Sequence, residues 1–282
     1  MERSTSGPTT TSTAKQSVAI HRQRRVWEAR ARNWNHHASN NEGLRTVVAA
    51  VVDTATSGLA DGESLGTVVD LGCGSGQLTL ALAKRATKVL GVDVSGSMLR
   101  ELEQRAAAEG ITNVECLVSP IERLSLPPGS VDVVVSNYAL HHLRDPDKGV
   151  AVAAAAGWLR PGGRLVIGDM MLGRGADAAD RAVIADKVRQ LARRGPGGWW
   201  RVAKNAVRFI VRIQERPLSR SAWVALVQRS GFVDVQASAV VHEAAVVSAV
   251  RAGSPTTEAA RPADSASNAA AKATGDGASA PA

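Results

Sequence analysis

A chain of 282 residues with 44% hydrophobic side chains holds one large α/β domain or two small ones, and its net charge of +8 points to acidic partners. Its two cysteines, Cys73 and Cys116, show no CxxC or metal-type spacing, which argues against a disulfide framework or metal centre and for a reducing, cytoplasmic setting. No apolar run approaches the roughly 18 residues that span a bilayer, and the polar N-terminal stretch lacks the apolar core of a signal peptide.

Residues 1–17 are Ser/Thr-rich and aperiodic, and are expected to form a disordered tail. From Val18 to about Ala38 the pattern is helical and basic, with Trp27 and Trp34 on one face. A second helix, 44–56, presents Val47, Val48, Val51 and Val52, and a loop over 58–66 follows. Thr67–Leu71 then reads as a strand that runs into Gly72, Gly74 and Gly76, and a helical run over 78–85 begins at once. Glycines at such a junction let the backbone turn sharply and approach a ligand closely. The helix N-terminus that follows offers unpaired N–H groups to polar ligand atoms.

Beyond that unit the segments alternate. Strands are expected at 89–93, 114–118, 131–136 and 164–168, and helices at 96–109 and 148–159, the latter stopped by Pro161-Gly162-Gly163. Continuous Val/Ile/Leu runs separated by helices mean parallel strands covered on both faces. Residues 170–217 interrupt the alternation with basic, mostly helical sequence. A helix over 219–230 and two strands, 232–241 and 243–250, antiparallel at the sheet edge, complete the pattern. The stretch 253–282, rich in Ala, Ser, Pro and Gly, is expected to be disordered.

The spacing Gly72-x-Gly74-x-Gly76 departs from the dinucleotide fingerprint, since Gln77 stands where its third glycine belongs. Asp70 precedes the glycines and Asp93 closes the next strand. Both features resemble the class I S-adenosylmethionine-dependent methyltransferases, whose first motif is (D/E)xGxGxG. The resemblance extends to Val131-Asp-Val-Val-Val-Ser-Asn-Tyr-Ala-Leu-His-His-Leu143, Leu159-Arg-Pro-Gly-Gly-Arg-Leu165 and Ser230-Gly-Phe-Val-Asp-Val235, in order, and covers about residues 26–251. It is closest to the small-molecule branch of that superfamily.

What the resemblance implies is a Rossmann-like α/β fold, with a seven-stranded, mostly parallel sheet, helices on both faces and the seventh strand antiparallel. Residues 18–252 would form the domain, with a helical cap over 18–60 and a helical lid inserted at 170–217. The implied cofactor is S-adenosyl-L-methionine. It would be held by Asp70, Gly72, Gly74 and Gly76, by Asp93 at the ribose with Val94 beside it, and by Met98 at the adenine. Ser119, Pro120 and Ile121 would complete the adenine side, and Ser136 and Asn137 the entrance to the substrate cleft. Pro120 stands where this branch carries an Asp for the adenine amino group, so the Ser119 hydroxyl or the backbone at Ile121 would substitute. No metal is implied.

Methyl transfer asks mainly for alignment of the nucleophile with the methyl carbon, and for a general base when the acceptor is a hydroxyl. The candidates are His141 and His142, just beyond the fourth strand, and His36 and His37 on the first helix. Open α/β sheets bind ligands outside the carboxyl ends of their strands, where His141 and His142 project. The competing reading is that one packs against a helix and the other caps a backbone group. Tyr138, the only tyrosine, positions an acceptor or walls the pocket.

Ser136-Asn137-Tyr138-Ala139 lacks the two prolines of enzymes that methylate exocyclic base nitrogens, which lowers a nucleic-acid reading. Residues 170–220 hold twelve Lys/Arg against four acids, an excess equal to the net charge of the whole chain. Arg201, Lys204, Arg208 and Arg212 form one cationic stripe, and Trp199-Trp200 begins the segment. The stripe reads as a solvated face, as a contact for an anionic substrate or peripheral membrane surface, or as a nucleic-acid contact. The expectation is methyl transfer to an O, N or C nucleophile of an apolar or anionic small molecule. The alternatives are an RNA or protein methyltransferase, or a catalytically silent S-adenosylmethionine-binding regulatory protein.

Overall fold

The computed structural model describes residues 24–29, 41–173, 216–241 and 243–253, with isolated positions between 181 and 197. Both expected tails, most of the first helix with His36 and His37, and the stripe from Arg201 to Arg212 lie outside the described residues.

Among the described residues seven strands form one sheet. β1 (Thr67–Leu71), β2 (Lys88–Asp93), β3 (Val114–Val118), β4 (Val131–Asn137) and β5 (Leu159–Met170) pair in parallel in the order β3-β2-β1-β4-β5. β7 (Ala244–Arg251) inserts between β5 and β6 (Phe232–Val241) and runs antiparallel to both. The expected Rossmann-like, mostly parallel sheet is the one observed.

Because successive side chains of a strand point to opposite faces, each Val-rich strand feeds two cores. Val69, Val134, Leu165 and Ile167 pack with helices α4 (Asp145–Trp158) and α5 (Arg220–Arg229), where Trp223 is fully buried. Their neighbours Val68, Val133, Val135 and Val166 pack on the other face with α1 (Glu42–Thr56) and α2 (Gln77–Ala83). Helix α3 (Gly96–Ala108) extends that second layer through Leu99 and Leu102. Side-chain caps start three of the helices: Asn41 accepts from Leu44 N, Ser95 from Met98 N and Ser219 from Ala222 N. Arg164 lies against the end of α1 and donates to the carbonyls of Thr54, Ala55 and Ser57, a cation at a helix C-terminus.

Two boundaries differ from expectation. Pro161-Gly162-Gly163 does not end the fourth helix before a short strand. Instead β5 starts at Leu159 opposite Val131 and absorbs the glycines as an irregularity before Arg164 pairs with Val133. Helix α4 begins at Asp145 rather than at 148, with Pro146 in its first turn, where a missing N–H costs nothing. Within the expected cap, α1 packs on β4, β5, β6 and β7, and of the first expected helix residues 24–29 are described. Among the described residues no helix is long and apolar enough to cross a membrane.

Sequence order runs outward from β1 through β2 to β3, then returns to β4 on the other side of β1. Ligands of open α/β sheets bind at such a reversal, outside the carboxyl ends of the strands.

Candidate functional site

At the end of β1 the chain turns over β2, with Gly72 N and Cys73 N both donating to the Val92 carbonyl at 2.8 and 3.0 Å. Gly72 and Gly76 have φ of 74° and 86°. A Cβ at Gly72 would lie 2.3 Å from the Ala139 Cβ, and one at Gly76 would lie 2.1 Å from Leu102 Cδ1. Both positions therefore need glycine for conformation and for space.

Two carboxylates flank this loop. Asp93 accepts from Gly74 N at 3.0 Å and from Ser95 N at 2.8 Å, so it fixes the loop and the start of α3 together. Asp70, 1% exposed, accepts from the Thr79 hydroxyl through Oδ2 at 2.7 Å, while its buried Oδ1 has no partner. Burial pushes the Asp70 carboxyl up to about 7; the Thr79 bond opposes this and the nearby Asp93 charge adds to it. Burial also raises Asp93, against the pull of its backbone donors.

The loop opens on a cleft of about 930 Å³, counting the part open to solvent. Among its described lining residues the charged side chains are Asp70, Asp93 and Glu122, with no lysine or arginine. Glu122 is also raised by burial. In a chain of net charge +8, the described lining of this cleft thus carries three carboxylates and no lysine or arginine.

The other wall is the turn after β4. Tyr138 has a φ of 50°, rare for a residue with a side chain, and its N–H donates to the Gly168 carbonyl at 2.8 Å. Burial, with the charges of Glu243 and Asp169, pushes its phenol up to about 12. The 3-10 turn Leu140–His142 then sends its two histidines to different places. His141 is 5% exposed and lies behind the cleft wall; its Nδ1 is 2.5 Å from Asp169 Oδ1, and its backbone N–H donates to Asp169 Oδ2 at 2.9 Å. His142 lines the cleft. Its ring lies 3.9 Å from that of His141 and 5.0 Å, edge-on, from that of Trp27.

Further contacts fix this turn. Arg216 N donates to the His141 carbonyl at 2.7 Å, and the fully buried Lys148 donates to the carbonyls of Leu143 and Arg216 and to Asp145. Trp27 is held in place through its neighbour Glu28, which accepts from Gly96 N at 3.1 Å and from the Ser97 hydroxyl at the start of α3. The Ser97 bond, opposed by burial, keeps Glu28 below the usual carboxylate range.

Of the sequence-predicted residues, Asp70, Gly72, Gly74, Gly76, Asp93, Val94, Met98, Ser119, Pro120, Ile121, Asn137 and His142 all line one cleft. Ser136 does not: it is buried and donates to the Leu71 carbonyl at 2.8 Å, tying β4 to β1. The Ser119 hydroxyl donates to its neighbour Pro120 carbonyl. Sequence reasoning missed Glu122, Asp169, Lys148 and Glu28. Asp169 carried a signal, being a third acid at the carboxyl end of a parallel strand; Glu28 and Lys148 carried none.

Residues 68–163 match a family model described as a methyltransferase domain. An uncharacterised methyltransferase of Bacillus cereus is 34% identical over 128 residues, 45% of this chain and 57% of that protein, so the chain spans little more than half of that relative. Two solved structures share the fold. One is 1,6-didemethyltoxoflavin-N1-methyltransferase of Burkholderia thailandensis, with bound 1,6-didemethyltoxoflavin and S-adenosylhomocysteine (TM-score 0.55, 18% identity, 89% of this chain and 93% of that one). The other is a chain of the complex between the Haloferax volcanii Trm112 methyltransferase activator and a putative methyltransferase (TM-score 0.57, 17% identity, 80% and 97%). Over residues 68–163 the chain is thus similar in sequence to a methyltransferase domain, and its seven-stranded sheet has the fold of these two solved structures.

Proposed function

We propose that the chain binds S-adenosyl-L-methionine in this cleft and catalyses transfer of its methyl group to an O, N or C nucleophile of a small molecule. The observation that carries the reading is an all-acidic described lining within a basic chain. A cofactor bearing a sulfonium and an ammonium suits carboxylates, whereas a phosphate-bearing nucleotide calls for cations that the described lining does not offer. The residues present fit the group in detail. Asp70 Oδ1 is a buried acceptor without a partner, suited to an ammonium. Asp93 is anchored by two backbone donors and keeps lone pairs for hydroxyls. Gly72 and Gly76 leave no room for side chains where the backbone meets the cleft.

When bound, the cofactor supplies a methyl group already activated on sulfur. The chain's own part is alignment and proton removal. Tyr138 and His142 line the side of the cleft formed by the β4 turn, and His142 is the group placed to take a proton from an acceptor. His141, engaged by Asp169, is a positioning residue. A small-molecule acceptor is favoured by the Burkholderia thailandensis neighbour, whose structure holds 1,6-didemethyltoxoflavin and S-adenosylhomocysteine. The membrane-surface and nucleic-acid readings rest on the stripe from Arg201 to Arg212, outside the described residues.

Titration calorimetry with S-adenosylmethionine and S-adenosylhomocysteine tests the reading. Wild type is expected to bind both. Asp93→Ala is expected to weaken binding by roughly 100-fold, as for two hydrogen bonds to a charged group lost. Equal binding by the two proteins, or none by wild type, sinks it.

A further inference from the structure

We infer that the acceptor is a neutral, planar aromatic or heteroaromatic molecule with an ionisable O–H or ring N–H, received between the rings of Trp27, Tyr138 and His142. The inference deepens the reading above and rests on it. Three observations converge. The first is a run of rings along the wall: Trp27 edge-on to His142 at 5.0 Å, His142 against His141 at 3.9 Å, and His141 edge-on to Tyr138 at 6.2 Å. Trp27, Tyr138 and the imidazole of His142 line the cleft, and Trp, Tyr and Phe together make up only 3% of the chain, so finding two of them here is selective. Flat faces and edges of this kind favour a flat guest over a saturated one.

The second is charge. The described lining carries three acids and no lysine or arginine, so among the described residues an acceptor carboxylate, phosphate or sulfate would meet repulsion and no counter-ion. The third is proton chemistry. Among the described lining residues other than carboxylates, His142 is a group able to accept a proton, while burial pushes the Tyr138 phenol up to about 12 and keeps it a donor. In the reaction the acceptor O–H or N–H passes its proton to His142. The electron pair so freed forms the bond to the methyl carbon, the pair of the broken carbon–sulfur bond stays on sulfur, and the imidazolium returns its proton to solvent.

The test uses three probes of one shape on the full chain loaded with S-adenosylhomocysteine: 2-naphthol (planar, neutral), 2-naphthoate (planar, anionic) and decahydro-2-naphthol (saturated, neutral). By calorimetry 2-naphthol is expected to bind about tenfold more tightly than either of the others, the scale of one or two aromatic pairs. Trp27→Ala is expected to remove most of that preference while leaving S-adenosylhomocysteine affinity unchanged. With S-adenosylmethionine, His142→Asn is expected to lower turnover on 2-naphthol while retaining 2-naphthol binding. Equal or tighter binding of 2-naphthoate or decahydro-2-naphthol overturns the assignment. So does a Trp27→Ala protein that loses S-adenosylhomocysteine and 2-naphthol alike, because the rings would then hold the cofactor's purine. Failure of wild type to bind S-adenosylhomocysteine brings down the cofactor reading itself, a result separate from either of these.

Discussion

The two walls of the cleft are built by different means. The glycine-loop wall is local: Gly72, Gly74, Asp93 and Ser95 lie within 24 residues, and backbone N–H groups fix both carboxylate oxygens of Asp93. The ring wall is assembled from afar. Its five-residue turn, 138–142, is held by Asp169 from β5, Arg216 from beyond the insert and Trp27 from the N-terminal helical turn. A wall made of backbone contacts within one short stretch suits a ligand that never changes. A wall that gathers side chains from several elements can be altered one residue at a time, which suits the part of the reaction that sets substrate choice.

Three perturbations sharpen or break that contrast. The largest effect is expected from Gly72→Ala, which strikes both walls, since its Cβ would fall 2.3 Å from the Ala139 Cβ at a φ of 74°. Strain plus overpacking should cost roughly 2–4 kcal/mol. Thermal unfolding should show it, together with loss of both S-adenosylhomocysteine and 2-naphthol binding. A fully stable variant that binds both would show that the walls do not press on each other.

Next is Asp169→Ala, which touches the ring wall alone. It strips the acceptor from His141 N, His141 Nδ1 and Met170 N, at a cost of about 1–3 kcal/mol for the buried groups left unpaired. Aromatic-probe affinity should fall severalfold while S-adenosylhomocysteine affinity holds. An equal fall in both would erase the division of labour.

The smallest effect is one of pH on the glycine-loop wall. Burial raises Asp70 from an ordinary 3.8 to about 7, so between those values the ligand-free fold holds a proton that the unfolded chain has released. Stability of the ligand-free protein should therefore decline as pH rises through that window. A cationic ligand prefers the ionised carboxylate, so S-adenosylmethionine affinity should rise severalfold from pH 6 to pH 8. Asp70→Asn should flatten both trends, and calorimetry at three pH values would detect it. A flat wild-type profile would remove Asp70 from cofactor binding.

The same contrast separates what the sequence could disclose from what it could not. β1 and β3 fall on their expected residues, and the glycine loop stands where its spacing places it, because strand period and glycine chemistry are local signals. Pro161-Gly-Gly163 misled, since it was read as a helix stop before a short strand although a strand irregularity absorbs it. His141 and His142 looked equivalent as neighbours, yet one is consumed by an aspartate 28 positions away and the other faces the cleft. Ser136 and Asn137 parted in the same way, because adjacent residues of a strand face opposite sides. That Trp27 meets His142 is a tertiary fact with no local trace.

The position of β7 has a consequence for how the chain comes off the ribosome. Among the described residues the last strand in sequence sits inside the sheet, between β5 and β6, and β6 pairs with it alone. Until residues 244–251 emerge, the apolar run Leu165-Val-Ile167 of β5 presents an open edge, and β6 has no place to dock. Synthesis at about 5–20 residues per second leaves that edge uncovered for several seconds. A nascent chain stalled between residues 170 and 243 would be a chaperone client and an aggregation risk, although the stretch that matches the methyltransferase model would already be complete.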